Sequence, residues 1–388
     1  MRKRFFLLPI ILAIFLIRPV TAQASPGKGE KGVMFGGVQI RGTYQAAMLA
    51  EGHSGRILFE KDADKPWPPA SLTKMMLELL VMERVQDGSI SLSDKIKVSA
   101  RASKTGGSQV YLKHKEVFTL EKLMESIAIH SANDSCVAVA EYVGGSVQGF
   151  VDLMNIEAKS MGLKHTSFHS VHGLPPEPGQ KGDVVTARDL MVVALRLIKI
   201  PRVTQWSSTV KAPFRGGKFI MHNTNRLIGS FRGADGLKTG HYSEAGYNLV
   251  ATAQRKGLRL ISIVLGCRSE QERKEESARM LSFGFNNFVK KEVFTKGKEV
   301  TSRMVKVDEG KKDKLIPIIN NDLSAVINRR NKLTYEYHLP RSIKAPVKQG
   351  QKLGTVTARE GTRELGKADL ISPVSIKKIS FWRKYFPK

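Results

Sequence analysis

The stretch Pro69-Ala-Ser-Leu-Thr-Lys74 opens a predicted helix and places a hydroxyl and an amine one helical turn apart. The apolar residues around it have the spacing of one buried helix face; they are Leu72, Met75, Met76, Leu79 and Leu80. Because positions i and i+3 share a face, the Lys74 ammonium can approach the Ser71 hydroxyl. A partly desolvated lysine can be neutral enough to take a serine proton. The stretch therefore predicts a nucleophile and its base.

The Ser-x-x-Lys spacing by itself is not specific, since it recurs at Ser208/Lys211 and Ser375/Lys378. A second motif, Ser131-Ala-Asn133, follows a predicted helix that starts with Thr119 as its N-cap. Its hydroxyl is suited to relay a proton to a leaving amine, and its amide to hold a peptide carbonyl. Taken alone, a Ser-x-Asn sequence is more often a cap or a turn.

The third motif is Lys238-Thr239-Gly240-His241, just before a predicted hairpin of strands over 247–253 and 258–266. A lysine here can depress the pKa of a neighbouring ammonium, and Lys238 and Thr239 together can bind a carboxylate. Gly240 allows close approach of a ligand, and the next N–H can donate to an oxyanion. A second Lys-Thr-Gly, at 104–106, precedes Ser131 and lacks a strand pattern, so we reject it.

The three motifs occur in the order found in penicillin-recognising serine enzymes. With their flanking residues they resemble the D-alanyl-D-alanine carboxypeptidases of the low-molecular-mass penicillin-binding protein family, over roughly residues 35 to 290. The matching stretches are Pro69–Lys74, Ser131–Ala138, Val171–Leu174, Asp235–His241 and Ala245–Val250.

The resemblance implies a role for each motif residue. Ser71 is the acyl-accepting nucleophile and Lys74 its general base, while Ser131, Asn133 and Lys238 complete the proton relay and the substrate clamp. Thr239 and Gly240 line a strand edge, and the N–H groups of Ser71 and His241 form the oxyanion hole. Arg273 is the best match for the family's arginine that binds the terminal carboxylate.

The resemblance also implies the fold class, an α/β (α+β) β-lactamase/transpeptidase-like catalytic domain with an antiparallel sheet flanked by helices. We assign residues 25–291 to this serine DD-peptidase domain. The composition then shifts to short strand-like runs, which predicts a small all-β domain over 292–370. No internal repeat is found.

The C-terminal segment, 371–388, has another pattern. Ile376, Ile379, Trp382 and Phe386 fall on one side of a helical wheel, with lysines opposite. This pattern predicts a basic amphipathic helix over 374–388 that lies on an anionic membrane surface. The alternative is a helix docked on its own domain.

Residues 1–24 have the pattern of a secretory signal peptide. Arg2-Lys-Arg4 precedes an apolar run from Phe5 to Ile17, and Ala22-Gln-Ala24 offers a cleavage site. The alternative is an uncleaved N-terminal anchor. The signal predicts export to the periplasm or the outer face of the cytoplasmic membrane. The predicted location and the formal net charge of +28 together favour anionic envelope polymers or lipid over nucleic acid as partners.

Metal and thiol chemistry are disfavoured. The nine histidines contain no HExxH or other ligand pairing, so we expect no metal and no cofactor. We interpret His172 as structural, and Cys136 and Cys267 as buried thiols, with a bridge between the two left open.

These inferences predict a serine-type D-Ala-D-Ala carboxypeptidase that removes the terminal D-alanine from peptidoglycan pentapeptide stems through an acyl-enzyme on Ser71. β-Lactams are then covalent inhibitors. The alternatives are a β-lactamase, a DD-endopeptidase that cuts cross-links, and a catalytically inactive envelope-binding protein.

Overall fold

The structure, a computed structural model, describes residues 33–35, 38–40, 42 and 44–380. The predicted signal peptide therefore lies outside the described residues. The helices are α1 (Lys74–Gln86), α2 (Ala100–Ser103), α3 (Leu120–His130), α4 (Asn133–Gly144), α5 (Val147–Ser160), α6 (Ala187–Leu197), α7 (Pro201–Ser207) and α8 (Glu270–Asn287). Two 3₁₀ turns cover Ala70–Thr73 and Arg215–Gly217.

Twenty strands accompany the helices in the described part of the chain. They are β1 (Val33–Phe35), β2 (Val38–Ile40), β3 (Ala46–Glu51), β4 (Ile57–Lys61), β5 (Lys95–Lys97), β6 (Val117–Thr119), β7 (Lys211–Phe214), β8 (Phe219–His222), β9 (Ala234–Tyr242), β10 (Gly246–Arg255), β11 (Leu258–Cys267), β12 (Phe288–Phe294), β13 (Val305–Asp308), β14 (Lys314–Leu315), β15 (Ile318–Ile319), β16 (Leu323–Asn328), β17 (Leu333–His338), β18 (Ser342–Lys344), β19 (Lys352–Glu360) and β20 (Arg363–Ile371).

A five-stranded antiparallel sheet, ordered β4-β3-β11-β10-β9, divides the catalytic region into two layers. Because side chains alternate along a strand, β3 serves both layers. Ala46, Met48 and Ala50 join one core cluster with α1 and the helices α3 to α7, whereas Ala47 and Leu49 join a second cluster with α8. The sheet is thus flanked by helices on both faces, and β9 is an edge strand.

Most of the predicted elements are present, with shifted ends. Thr119 and Thr186 cap α3 and α6 through side-chain hydrogen bonds, and the predicted hairpin is β10–β11. Pro201 occupies the first turn of α7, where its missing N–H costs nothing.

The C-terminal part is all-β, and its first strand, β12, begins at Phe288, directly after α8 and earlier than the composition shift at 292. A four-stranded sheet, ordered β15-β20-β19-β17, contains its main core. Arg56 of the catalytic region donates to the Val326 carbonyl at 2.7 Å and pairs with the buried carboxylate of Glu360 at 3.3 Å. This contact ties the two parts together.

The predicted C-terminal helix is wrong over residues 374–380, which are not helical. Ile376 exchanges backbone hydrogen bonds with Val347, and it is buried in a small apolar cluster. The helical spacing of its apolar residues did not decide the conformation, because pairing with the β domain satisfies the backbone instead. Residues 381–388 lie outside the described part. Within that part, no helix has the length and apolar character needed to cross a bilayer.

Candidate active site

Ser71 and Lys74 lie together at the start of α1. Ser71 is in the 3₁₀ turn that precedes the helix, and the fully buried Lys74 is the first residue of α1. The Lys74 Nζ donates to Ser71 Oγ at 2.7 Å and to the carbonyl oxygen of His172 at 2.6 Å. Burial lowers the pKa of Lys74 to about 8, since a desolvated ammonium is disfavoured. The predicted pair is therefore formed, with a base that reaches its neutral state near physiological pH.

The loop that carries His172 is built around Asp183. This buried carboxylate accepts hydrogen bonds from Thr73 Oγ1 at 2.7 Å, from the backbone N–H groups of His169 and Ser170, and from the Ser170 hydroxyl. Gly173, at φ +74°, packs so closely on the nucleophile turn that a Cβ there would lie 1.9 Å from the Ala70 carbonyl oxygen. Asp183 thus fixes the loop against the turn and points a carbonyl at Lys74.

The second pair, Ser131 and Lys238, faces the same cleft. Ser131 caps the C-terminus of α3 in a left-handed conformation, φ +62°. Lys238, buried in β9, donates to Ser131 Oγ at 2.8 Å. Burial lowers the pKa of Lys238, and the charge of Lys74 lowers it further. Because two like charges repel each other in a buried site, protonation of one amine disfavours protonation of the other, and their titrations depend on each other.

Asn133 begins α4 and is held by the loop that precedes β6. Its Nδ2 donates to the Gly106 carbonyl at 2.8 Å, and its N–H donates to that of Ser108 at 2.7 Å. Its buried Oδ1 has no partner among the described residues. The rejected Lys-Thr-Gly at 104–106 is not in a strand, yet its last residue positions this amide, which the sequence did not reveal.

The edge strand β9 lies directly against the nucleophile turn. A Cβ at Gly240 would lie 2.4 Å from the Pro69 carbonyl oxygen and 3.1 Å from the Ser71 nitrogen. Asn248, opposite Gly240 on β10, donates to the carbonyls of Pro68 and Pro69 at 2.9 and 3.2 Å. Only glycine allows this approach, and it brings the backbones of residues 71 and 241 to one side of the cleft.

The cleft has a volume of about 280 Å³. Its lining residues are Ser71, Ser108, Ser131, Thr224, Arg226, Thr239, Gly240, His241, Tyr247, Glu270 and Arg273. Arg273, 5% exposed, lies over the Tyr247 ring at 5.5 Å, and Glu270 pairs with it at 3.4 Å. His241 stacks on the Tyr247 ring, with the two ring centroids 3.9 Å apart. One end of the cleft therefore offers a buried guanidinium to an anion.

The structure brings every predicted site residue to this cleft or its immediate support. Sequence reasoning missed Asp183, Asn248, Thr224, Arg226 and Glu270. An Asp in a Gly-Asp-Val run carries no motif, and Asn248 was quoted only as part of a matching stretch. His172 was interpreted as structural, and its ring Nδ1 indeed accepts from Leu174 N–H at 3.2 Å; its carbonyl, however, contacts the candidate base.

Two family models match the chain. The model described as D-alanyl-D-alanine carboxypeptidase matches residues 39–269. The chain belongs to this family. The model of the penicillin-binding protein 5 C-terminal domain matches residues 288–378.

Relatives extend the match over most of the chain. The D-alanyl-D-alanine carboxypeptidases DacF of Bacillus subtilis and DacC of Escherichia coli are each 34% identical to it; the alignments cover 87% of this family member and 87% and 85% of the relatives. Among solved structures, penicillin-binding protein 5 of Haemophilus influenzae is 30% identical with a TM-score of 0.67, over 87% of this chain and 98% of that one. Penicillin-binding protein D2 of Listeria monocytogenes, in its ampicillin-bound form, is 31% identical with a TM-score of 0.58, over 64% and 100%.

These matches confirm the predicted family, its fold class, and its activity as a hydrolase of the D-alanyl-D-alanine carboxypeptidase type. Cys136 and Cys267 are free and buried, and burial raises the pKa of both thiols to about 12. The interpretation as buried thiols is confirmed, and the bridge is not formed. The roles of the individual site residues stay predictions.

Proposed function

We propose that the chain removes the terminal D-alanine from peptidoglycan stem peptides through an acyl-enzyme on Ser71. The 2.7 Å contact between Lys74 Nζ and Ser71 Oγ carries this proposal. A neutral Lys74 takes the hydroxyl proton, and Oγ attacks the carbonyl carbon of the penultimate D-Ala. The backbone N–H groups of residues 71 and 241, which both line the cleft where Gly240 packs on the nucleophile turn, are assigned to the resulting oxyanion.

The second half of the reaction uses the other pair. As the peptide C–N bond breaks, Ser131 passes its proton to the amine of the departing D-Ala and takes one in return from Lys238, whose Nζ donates to Ser131 Oγ at 2.8 Å. Water then adds to the acyl-enzyme, the shortened stem leaves with a carboxylate, and the Ser71 hydroxyl is restored. Asn133 holds the peptide carbonyl through its amide.

Substrate binding rests on the charge of the cleft. We assign Arg273 and Thr239 to the terminal carboxylate of the stem, since a guanidinium and a hydroxyl suit that anion. β-Lactams are proposed as covalent inhibitors at Ser71, in keeping with the ampicillin-bound state named for the Listeria protein. We propose no cofactor.

The proposed location is the cell envelope, with residues 1–24 as an export signal. The basic, aromatic end of the chain, over 374–388, is proposed to contact anionic membrane lipid, with residues 381–388 providing the aromatic part. The formal charge of +28 supports this attraction. Deleting residues 381–388 tests it: co-sedimentation with phosphatidylglycerol vesicles is expected to fall, while D-Ala release in solution stays unchanged.

Ser71→Ala with a labelled penicillin tests the central step. The wild type is expected to become covalently labelled, and Ser71→Ala is not. Ser208→Ala is the matched control, because Ser208/Lys211 has the same spacing outside the cleft. Persistent labelling of Ser71→Ala refutes the assignment. D-Ala release from a D-Ala-D-Ala peptide, blocked by penicillin, separates the carboxypeptidase from a β-lactamase and from an inactive binding protein.

A further inference from the structure

A carboxylate with no assigned role lies inside the catalytic region. Glu78 is on α1 and only 3% exposed, and its Oε1 has no hydrogen-bond partner among the described residues. Buried carboxylates are costly unless they are paired and hydrogen-bonded. Neither the three motifs nor the matching stretches include this residue.

The position of Glu78 on the helix directs it to the lysine pair. Residues 71, 74 and 78 are separated by three and four positions, so they lie on one face of the turn and helix. Side chains of a helix lean toward its N-terminus, which points Glu78 toward Lys74. The charges of Lys238, on β9, and of Lys74 both act on this carboxylate and lower its pKa, with Lys238 the stronger of the two.

The other titratable groups around the pair that the structure describes come from neighbouring elements. On α4 they are Cys136, a thiol whose pKa burial raises, and Asp134, which three backbone N–H groups hold. Beside Lys74 and Lys238 the remaining ones are Asp183, His172 and Arg273. Asp183 is already engaged by four hydrogen bonds, and burial lowers the pKa of His172 to about 4, so its ring is neutral.

The charge balance of this cluster depends on Glu78. Burial lowers the pKa of Lys74 and Lys238, whereas the field of Glu78 raises both. Burial in turn raises the pKa of Glu78, and the two ammonium groups oppose that rise. Two amines and one carboxylate therefore share protons in one low-dielectric volume, and the carboxylate favours keeping a proton on the amines.

We propose that Glu78 is a positioning residue that sets the proton count of the Lys74–Lys238 pair, and thereby the pH range in which Ser71 is acylated. This inference rests on the proposed acyl-enzyme mechanism. Glu78 touches neither substrate nor the reacting atoms in this role; it acts through the charge of the two amines. A purely structural role would show in stability alone, because it has no route to the pH profile.

The test is the pH dependence of the rate at which a chromogenic penicillin or cephalosporin acylates the full-length protein. Acylation needs a neutral amine, so its acid limb follows the deprotonation of the pair. Removing the negative charge with Glu78→Gln lowers the amine pKa values, and the midpoint of the acid limb is expected to move down by about one pH unit. At a pH below the wild-type midpoint, the acylation rate of the variant, expressed as a fraction of its own plateau rate, is then up to about ten times that of the wild type.

Three further variants make the result interpretable. Glu78→Met removes the charge with a side chain that suits the surrounding core. Its midpoint is expected to move down as that of Glu78→Gln does, and it replaces Glu78→Gln in the test if that variant does not fold. Glu78→Asp keeps the charge and is expected to return the midpoint toward the wild-type value. Glu83→Gln, on the same helix but paired with Arg196 at the surface, is expected to leave it unchanged.

The outcomes separate this inference from the proposed function. If both neutral variants keep the wild-type midpoint, or move it upward, the role of Glu78 is refuted although the acyl-enzyme mechanism stands. If the wild type itself forms no acyl-enzyme with penicillin, the proposed function fails, and the inference fails with it.

Discussion

Asp183→Ala is the perturbation that most directly tests how the site is held. The carboxylate accepts four hydrogen bonds, from Thr73 Oγ1 at 2.7 Å, His169 N–H at 2.6 Å, and the N–H and hydroxyl of Ser170 at 2.9 and 2.8 Å. These bonds hold the loop whose His172 carbonyl accepts from Lys74 Nζ at 2.6 Å. Loss of Asp183 therefore acts on both stability and chemistry.

The magnitude follows from which donors water can reach. Thr73 is fully buried, so its hydroxyl loses its partner outright, whereas water replaces part of the contacts in the half-exposed loop. Hydrogen bonds to a charged group contribute about 1.5–3 kcal/mol each when fully lost. We expect Asp183→Ala to cost about 3–4 kcal/mol, and Thr73→Val, which removes one bond, about 1.5 kcal/mol. Displacement of the His172 carbonyl by about 1 Å is expected to lower the acylation rate about 100-fold.

The assay pairs a thermal melt with stopped-flow acylation by a fluorescent penicillin. The melting midpoint of Asp183→Ala is expected to fall by about 10 °C, since a kcal/mol corresponds to about 2–4 °C in a domain of this size. Asp152→Asn is the control and is expected to change little, because Asp152 lies on the exposed face of α5 and accepts a hydrogen bond from Gln148 at 3.0 Å, within the same helix. A folded Asp183→Ala that is acylated at the wild-type rate contradicts the reasoning.

Three more changes have defined outcomes. The acylation rate of the wild type is expected to fall as the pH drops below about 8, because protonation of Lys74 removes the base. A rate that does not change with pH between about 7 and about 9, one unit either side of this pKa, contradicts the assignment. Gly240→Ala forces a Cβ to within 2.4 Å of the Pro69 carbonyl oxygen, so kcat for D-Ala release is expected to fall about 100-fold with the fold intact by circular dichroism. Arg273→Ala is expected to lower kcat/KM for a free-acid D-Ala-D-Ala peptide about 10–100-fold, with a much smaller effect on the C-terminal amide; equal losses on both peptides count against a carboxylate contact.

The predictability of the site differed from residue to residue. Ser71 and Lys74 were predicted as a contact because three residues of one helical turn separate them, a local relation that needs no tertiary information. The pairing of Ser131 with Lys238 came only from resemblance, since the two lie 107 positions apart. Asp183 and the Gly106 carbonyl were missed, because a loop contact made by a backbone atom or a lone carboxylate has no sequence pattern.

The fold shows the same division. The Thr119 cap and the β10–β11 hairpin follow from local hydrogen bonding and periodicity, so the sequence determined them. At the end of the β domain the local pattern did not decide the conformation: Ile376 has helical spacing, yet it forms an isolated antiparallel β-bridge with Val347.

What the sequence determined by itself was the chemistry of each short motif and the helices and strands that carry them, because those depend on neighbours within a turn or two. Only the tertiary structure decided that Lys238, Glu78 and Lys74 share one buried volume, and hence how many protons they hold. Desolvation and the field of a distant charge are properties of the packed chain, and no spacing along it encodes them.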